Sequence, residues 1–172
     1  WIIHRLDKIT SGVIVFARTA EAHRSLNIQF EKHQVKKIYH ALVDGSPRWD
    51  EHTARHPLRA NVGHKHRTIV DNRDGKPSAT NFRVLERFDG YCLLEAIPET
   101  GRTHQVRVHA AELGHPLLAD TLYGSRVTRG LAHPALHARL LTFNHPESGE
   151  SLTFEADYPE DFASMLKRAR TG

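Results

Sequence analysis

The amino-acid sequence predicts an α+β fold: a mixed, mainly antiparallel sheet with a few helices packed on it. Two observations carry this. Strand-like runs outnumber helical ones, and consecutive runs are joined by short turn signals such as Asp89-Gly90 rather than by crossover helices.

Taken in order, residues 11–18 read as a strand, β-branched and apolar, bounded by a glycine turn and by Thr19. Thr19 is a candidate N-cap for a helix over 20–32, with Ala22, Leu26 and Phe30 on one face. Residues 36–43 return to strand character, with Tyr39, Ala41 and Val43 on one face and Ile38 and Leu42 on the other. The polar stretch 48–75 has poor periodicity. Its Asp71-Asn72-Arg73-Asp74-Gly75 cluster predicts a turn closing a hairpin between short strands near 52–57 and 66–71. Residues 78–87 and 91–98 predict two strands joined at Asp89-Gly90. Thr100-Gly101 turns the chain into a helix over 103–113, with Val106, Ala110 and Leu113 toward the core, Gly114 at C′ and Pro116 blocking continuation. After a mostly irregular 117–133 come strands at 136–143 and 151–156. A closing helix over 159–169 has Pro159 at N1, a capping-box look-alike Asp157-x-x-Glu160, and an apolar stripe of Phe162, Met165 and Leu166.

The 172 residues suit one domain with a real core, and 39% hydrophobic against 26% charged residues is ordinary for a globular protein. No apolar run approaches the ~20 residues of a membrane span. The single cysteine, Cys92, lies in the apolar run Tyr91-Cys92-Leu93-Leu94. It predicts a buried, inert thiol and fits a reducing cytoplasm. A net charge of +4 tilts the chain toward a polyanionic partner without specifying one.

Chemistry concentrates in His4-Arg5-Leu6-Asp7-Lys8-Ile9-Thr10-Ser11-Gly12. Asp7 is the only acid among the first twenty residues, and it stands between two cations, Arg5 and Lys8. Opposite charges within a few ångströms hold a carboxylate ionised, which suits a nucleophile or an electrostatic partner rather than a general acid. Alone, the stretch reads first as an Asp closing a turn before a strand.

Three further blocks change the balance. His-Arg-Leu-Asp followed by Thr-Ser-Gly resembles the signature of the RluA-type pseudouridine synthases. Lys37-Ile38-Tyr39-His40-Ala41-Leu42-Val43-Asp44-Gly45 resembles that family's second motif, and Thr100-Gly101-Arg102-Thr103-His104-Gln105-Val106-Arg107-Val108-His109 its third. Gly114-His115-Pro116 through Asp120, Tyr123-Gly124 and Leu136-His137-Ala138 resemble its closing blocks. The resemblance implies a largely antiparallel sheet with the active site in a central cleft. It implies Asp7 as the catalytic carboxylate, Tyr39 against the target uracil, and Arg107 ion-paired with Asp7. It further implies RNA contacts from Arg5, Arg102, Thr103, His104 and Gln105, and a hydrophobic residue, Leu136, under the base. Isomerisation of uridine to pseudouridine needs no cofactor and no metal, and the implied partner is RNA, with ribosomal RNA favoured over transfer RNA, acted on by a cytoplasmic monomer.

Each residue has a plainer reading. Tyr39 in an apolar strand is ordinarily core, and Arg107 is ordinarily a surface residue pairing with Glu112. Arg102 and Thr103 at a helix start suit either a phosphate or simple capping. The 14 histidines invite a metal hydrolase as the rival enzyme class, yet His104 and His109 are five apart, and His133 and His137 flank Pro134. A non-catalytic RNA-binding module explains the basic charge but not the acid inside a basic motif. The resemblance departs at two points. The family has a further segment before the first motif, so the single catalytic domain over 1–172 is expected to lack it, and Ala119 stands where the family has Gly before Asp120.

Overall fold

The computed structural model describes residues 1–171. Its elements in chain order are β1 (Ser11–Gly12), α1 (Ala20–Glu31), β2 (Lys36–Asp44), β3 (Glu51–Ala54), β4 (Leu58–Val62), β5 (Arg67–Val70), β6 (Thr80–Phe88) and β7 (Tyr91–Pro98). They continue with α2 (Gln105–Glu112), a 3-10 turn at Thr121–Tyr123, β8 (Leu136–Asn144), β9 (Ser151–Glu155) and α3 (Glu160–Thr171). The main sheet has the order β1-β8-β2-β7-β6-β3, with β9 also paired to β8. Every pairing is antiparallel except β1 with β8. The α+β reading is therefore correct, and no helix among the described residues is long and apolar enough to cross a membrane.

Two-faced burial of β2 explains why this sheet is central. Ala41 and Val43 point into one core with Phe82, Leu94, Val106, Ala110 and Leu136, and Tyr39 packs at its margin. Leu42, on the opposite face, packs with Leu93, Leu118, Phe162, Met165 and Leu166. The first core seats α2 and the second seats α3, through the apolar stripe its sequence predicts. Alternation along one strand thus fixes which face each helix covers. Cys92 is fully buried on the α2 side, and burial pushes its thiol up to about 12. A third cluster joins α1 to the far end of β8 through Leu26, Val35, Leu141 and Phe143. Thr19 Oγ1 accepts the Ala22 N–H at 3.1 Å as the N-cap of α1. Gln29 locks that helix to β8 by exchanging two bonds with the Asn144 backbone, at 2.8 and 2.9 Å.

The structure corrects three expectations. Only Ser11–Gly12 of the 11–18 run is a strand. Val13 and Val15 turn their side chains into the third cluster, Val13 keeping one backbone bond to Ala138 O at 2.9 Å, and Phe16 bridges back to Ile2. The predicted hairpin between 52–57 and 66–71 does not form. β3 pairs with β6, and β5 pairs with β4, so the turn lies between 62 and 67. The Asp71 cluster is a separate turn, in which Asp71 Oδ1 accepts the N–H groups of Arg73 and Asp74, each at 3.0 Å. Finally, α2 starts at Gln105 rather than 103, because its N-cap, His104, is left-handed with φ 53°.

Candidate active site

A cleft of about 380 Å³ opens on the α2 side of the sheet. Its walls are the first ten residues, the start of β2, the loop into α2 and the start of β8. Asp7, Tyr39, His104, Gln105, Arg102 and Leu136 all line it, so residues a hundred positions apart meet in one place.

Asp7 sits at the tip of a long loop whose base is the Ile2–Phe16 bridge, and the Thr10 N–H donates to the Asp7 carbonyl at 2.9 Å. Its carboxylate is about one-fifth exposed, open enough to meet a substrate. The cation beside it is neither Arg5 nor Lys8. Arg107 Nη1 approaches Asp7 Oδ2 at 3.4 Å, and Arg5 is an exposed residue of the cleft rim. Sequence neighbours in an extended loop diverge to opposite sides, whereas a helix can aim one long side chain across a cleft.

Arg107 is itself 4% exposed and gripped from behind by Asp120, which is 1% exposed. Nε donates to Asp120 Oδ2 at 2.7 Å and Nη2 to Oδ1 at 2.9 Å. Such a two-pronged grip uses the planar guanidinium in a way no lysine can reproduce. Burial opposes the guanidinium charge, but the bond and charge of Asp120, then the charge of Asp7, outweigh it and leave the Arg107 pKa above its ordinary value. The plainer reading, Arg107 paired with Glu112 on the surface, is excluded. Ala119, immediately before Asp120, holds a left-handed φ of 61°, which a side chain other than hydrogen adopts only under strain.

A second chain of contacts reaches Asp7 through His104, whose Nε2 is 3.9 Å from Oδ2. His104 Nδ1 and the Tyr123 hydroxyl are 2.7 Å apart, and that hydroxyl accepts the Thr68 N–H at 3.0 Å. Burial lowers the His104 pKa, with Arg107 adding to it against Asp7 and Asp120. The Tyr123 ring also lies under the Arg107 guanidinium, 5.0 Å from ring centre to carbon. Asp120 and Tyr123 carried no assigned role in the sequence, although both fall within the closing motif blocks.

Tyr39 faces the same cleft. Burial and then the Asp7 charge push its hydroxyl up to about 12, so it stays protonated at neutral pH. Leu136 is buried at the cleft wall. Gln105 differs in kind: Oε1 accepts from the Thr100 hydroxyl at 2.6 Å and the Arg102 N–H at 3.0 Å, and Nε2 donates to Ala79 O at 2.8 Å and Thr80 Oγ1 at 3.0 Å. Its amide is fully used in holding the cleft wall. Arg102 Nε donates to Pro77 O at 3.3 Å, and Thr103 is exposed ahead of α2. His133 and His137 have separate partners: His133 Nε2 lies 3.4 Å from Asp161, and His137 Nδ1 lies 2.8 Å from the Ser11 hydroxyl. No group of three or more His, Cys, Asp or Glu among the described residues is placed to share a metal ion.

A family profile described as RNA pseudouridylate synthase matches residues 1–112, and the chain belongs to that family. It is 43% identical over 169 residues to an uncharacterized RNA pseudouridine synthase of Bacillus subtilis, a match covering 98% of this chain and 55% of the relative. It is 40% identical over 174 residues to the ribosomal large subunit pseudouridine synthase D of Zymomonas mobilis, covering 96% of this chain and 55% of that one. The solved structure of human RNA pseudouridylate synthase domain containing 4 matches with a TM-score of 0.84 at 25% identity, over 98% of this chain and 75% of that chain. The chain spans about half the length of the curated relatives it matches.

Proposed function

We propose that this chain carries the catalytic centre of an RNA pseudouridine synthase that converts uridine to pseudouridine in large-subunit ribosomal RNA. The observation that carries the reading is one carboxylate, Asp7, lining a cleft that also presents Tyr39 and met at 3.4 Å by a buried arginine. The relatives named for the ribosomal large subunit favour that RNA over transfer RNA.

The reaction breaks the C1′–N1 bond, turns the uracil and joins C1′ to C5; C5 gives up a proton and N1 gains one, so substrate and product are isomers. Two routes are open to a carboxylate here: capture of the electrophilic C1′, or removal of a sugar proton. Both need a carboxylate fixed in place, and the contact with Arg107 at 3.4 Å supplies the fixing. The target nucleotide is flipped from its stack to enter the cleft. Tyr39 and Leu136 then replace the lost stacking, with an aromatic face worth about 1–3 kcal/mol per base. Arg5 and Arg102 at the rim meet the RNA backbone. A non-catalytic binding module would have no use for a carboxylate that repels phosphate at the centre of its basic cleft.

The test is pseudouridine mapping of ribosomal and transfer RNA from cells with and without this protein. The reading expects a discrete large-subunit uridine to lose its modification when the protein is absent. Modification lost only from transfer RNA, or nowhere, contradicts it.

A further inference from the structure

The loop that carries Asp7 has little backbone of its own to hold it. Its ladder begins with Trp1 and Ala17 exchanging two bonds, 2.7 and 3.0 Å, and continues to the Ile2–Phe16 bridge. Between His4 and Val15 the one backbone bond from strand to strand of the loop is Thr10 N–H to Asp7 O at the tip. Past the tip, β1 is tied to β8 by its short parallel ladder and by the Val13 N–H to Ala138 O at 2.9 Å, and two imidazoles add side-chain bonds on either side. His4 Nε2 accepts the Val15 N–H at 3.1 Å, standing where the next rung would be, and its ring stacks on Phe30 of α1 at 4.8 Å. On the other side, the Ser11 hydroxyl lies 2.8 Å from His137 Nδ1, and His137 Nε2 lies 3.1 Å from Ala156 O. A carbonyl can only accept, so Nε2 carries the proton and Nδ1 accepts from Ser11. Burial, aided by Lys37, pushes His4 down to about 4, and burial lowers His137 against the pull of the Ala156 carbonyl. Both rings are therefore neutral acceptors at the pH of the cell.

We propose that His4 and His137 are positioning residues, two neutral imidazole clamps that hold the Asp7 loop closed and in register on β8 so that its carboxylate meets the substrate. The proposal rests on the functional reading above. A catalytic carboxylate needs placement to within about 0.5 Å, and a misplacement of about 1 Å costs on the order of 10²-fold in rate.

Three variants of the full chain test it. His4→Phe keeps the ring and its stacking but loses the acceptor; His4→Gln loses the ring but places a carbonyl oxygen near Nε2; Ser11→Ala removes only the bond to His137. His4→Phe is expected to lower kcat on the order of 10²-fold with KM and RNA affinity within about twofold. His4→Gln should recover most of that loss, and Ser11→Ala should lower kcat on the order of tenfold with the melting temperature little changed. Parent-like kcat in His4→Phe, equal losses in Phe and Gln, or a loss confined to KM overturns the proposal. If His4→Phe does not fold, Ser11→Ala decides by the same criterion. Hydrogen exchange separates this from the functional reading. A parent chain that forms no pseudouridine overturns the function, whereas an unprotected Val15 amide in an active parent overturns the clamp.

Discussion

Arg107 is the residue on which the site turns, because it is shared. One edge of its guanidinium is saturated by Asp120 and the remaining nitrogen reaches Asp7. Arg107→Lys keeps the charge but cannot hold both carboxylates, so turnover should fall on the order of 10²-fold in single-turnover assays while RNA affinity stays near the parent's. Asp120→Ala leaves a buried cation without its main partner, and such losses typically cost about 3–5 kcal/mol, readable as a drop in urea midpoint. At Tyr39, Phe should keep far more activity than Leu if the ring supports a flipped base; equal loss in both would point to the hydroxyl instead. Asp7, Tyr39 and Arg107 were each legible only as members of motifs. Asp120 also fell within a motif block, but its grip on Arg107 did not show, because a partner thirteen residues away across an irregular loop leaves no periodic trace in the sequence.

At the scale of elements, long strands and helices were legible, and so were the positions of β3, β5 and β9, but β4 and the pairing of β3 and β5 were not. β2, β7 and α3 advertise themselves by alternation or by an apolar stripe. β3, β4 and β5 are four or five residues each, too short for alternation to fix which partner each one takes. β1 was overread for the opposite reason: Val13-Ile14-Val15 looks like a strand, but Val13 and Val15 pack a loop against α1 while Ile14 is exposed. The two residues that do pair are held close to β8. A Cβ on Gly12, which has φ 120°, would lie 2.1 Å from the Ala138 carbonyl oxygen. Gly12→Ala should therefore push β1 off β8, lowering both melting temperature and turnover, whereas Gly114→Ala meets nothing within 4 Å and strains only its own φ of 83°. Comparing the two in one thermal melt series separates a steric clash from local backbone strain.

For the whole molecule, buried imidazoles set the acid limb of stability. Burial, with Lys37, pushes His4 from its ordinary 6.5 down to about 4, and burial pushes His40 to about 4 despite the pull of Glu95. Burial also lowers His109 and His137. All four are neutral when folded and take up a proton more readily when unfolded, so their contribution is complete above pH 6.5 and is lost as pH falls toward 4. Urea midpoints should decline steadily across that window; a flat profile would mean these rings are freely hydrated. The central claim is narrower, that Asp7 on its arginine performs the chemistry. The most direct measurement is single-turnover pseudouridine formation on large-subunit ribosomal RNA by the parent chain and by Asp7→Asn, with RNA affinity measured alongside. The account predicts unchanged binding and a rate lower by on the order of 10⁴-fold or more. Turnover by Asp7→Asn within tenfold of the parent contradicts it.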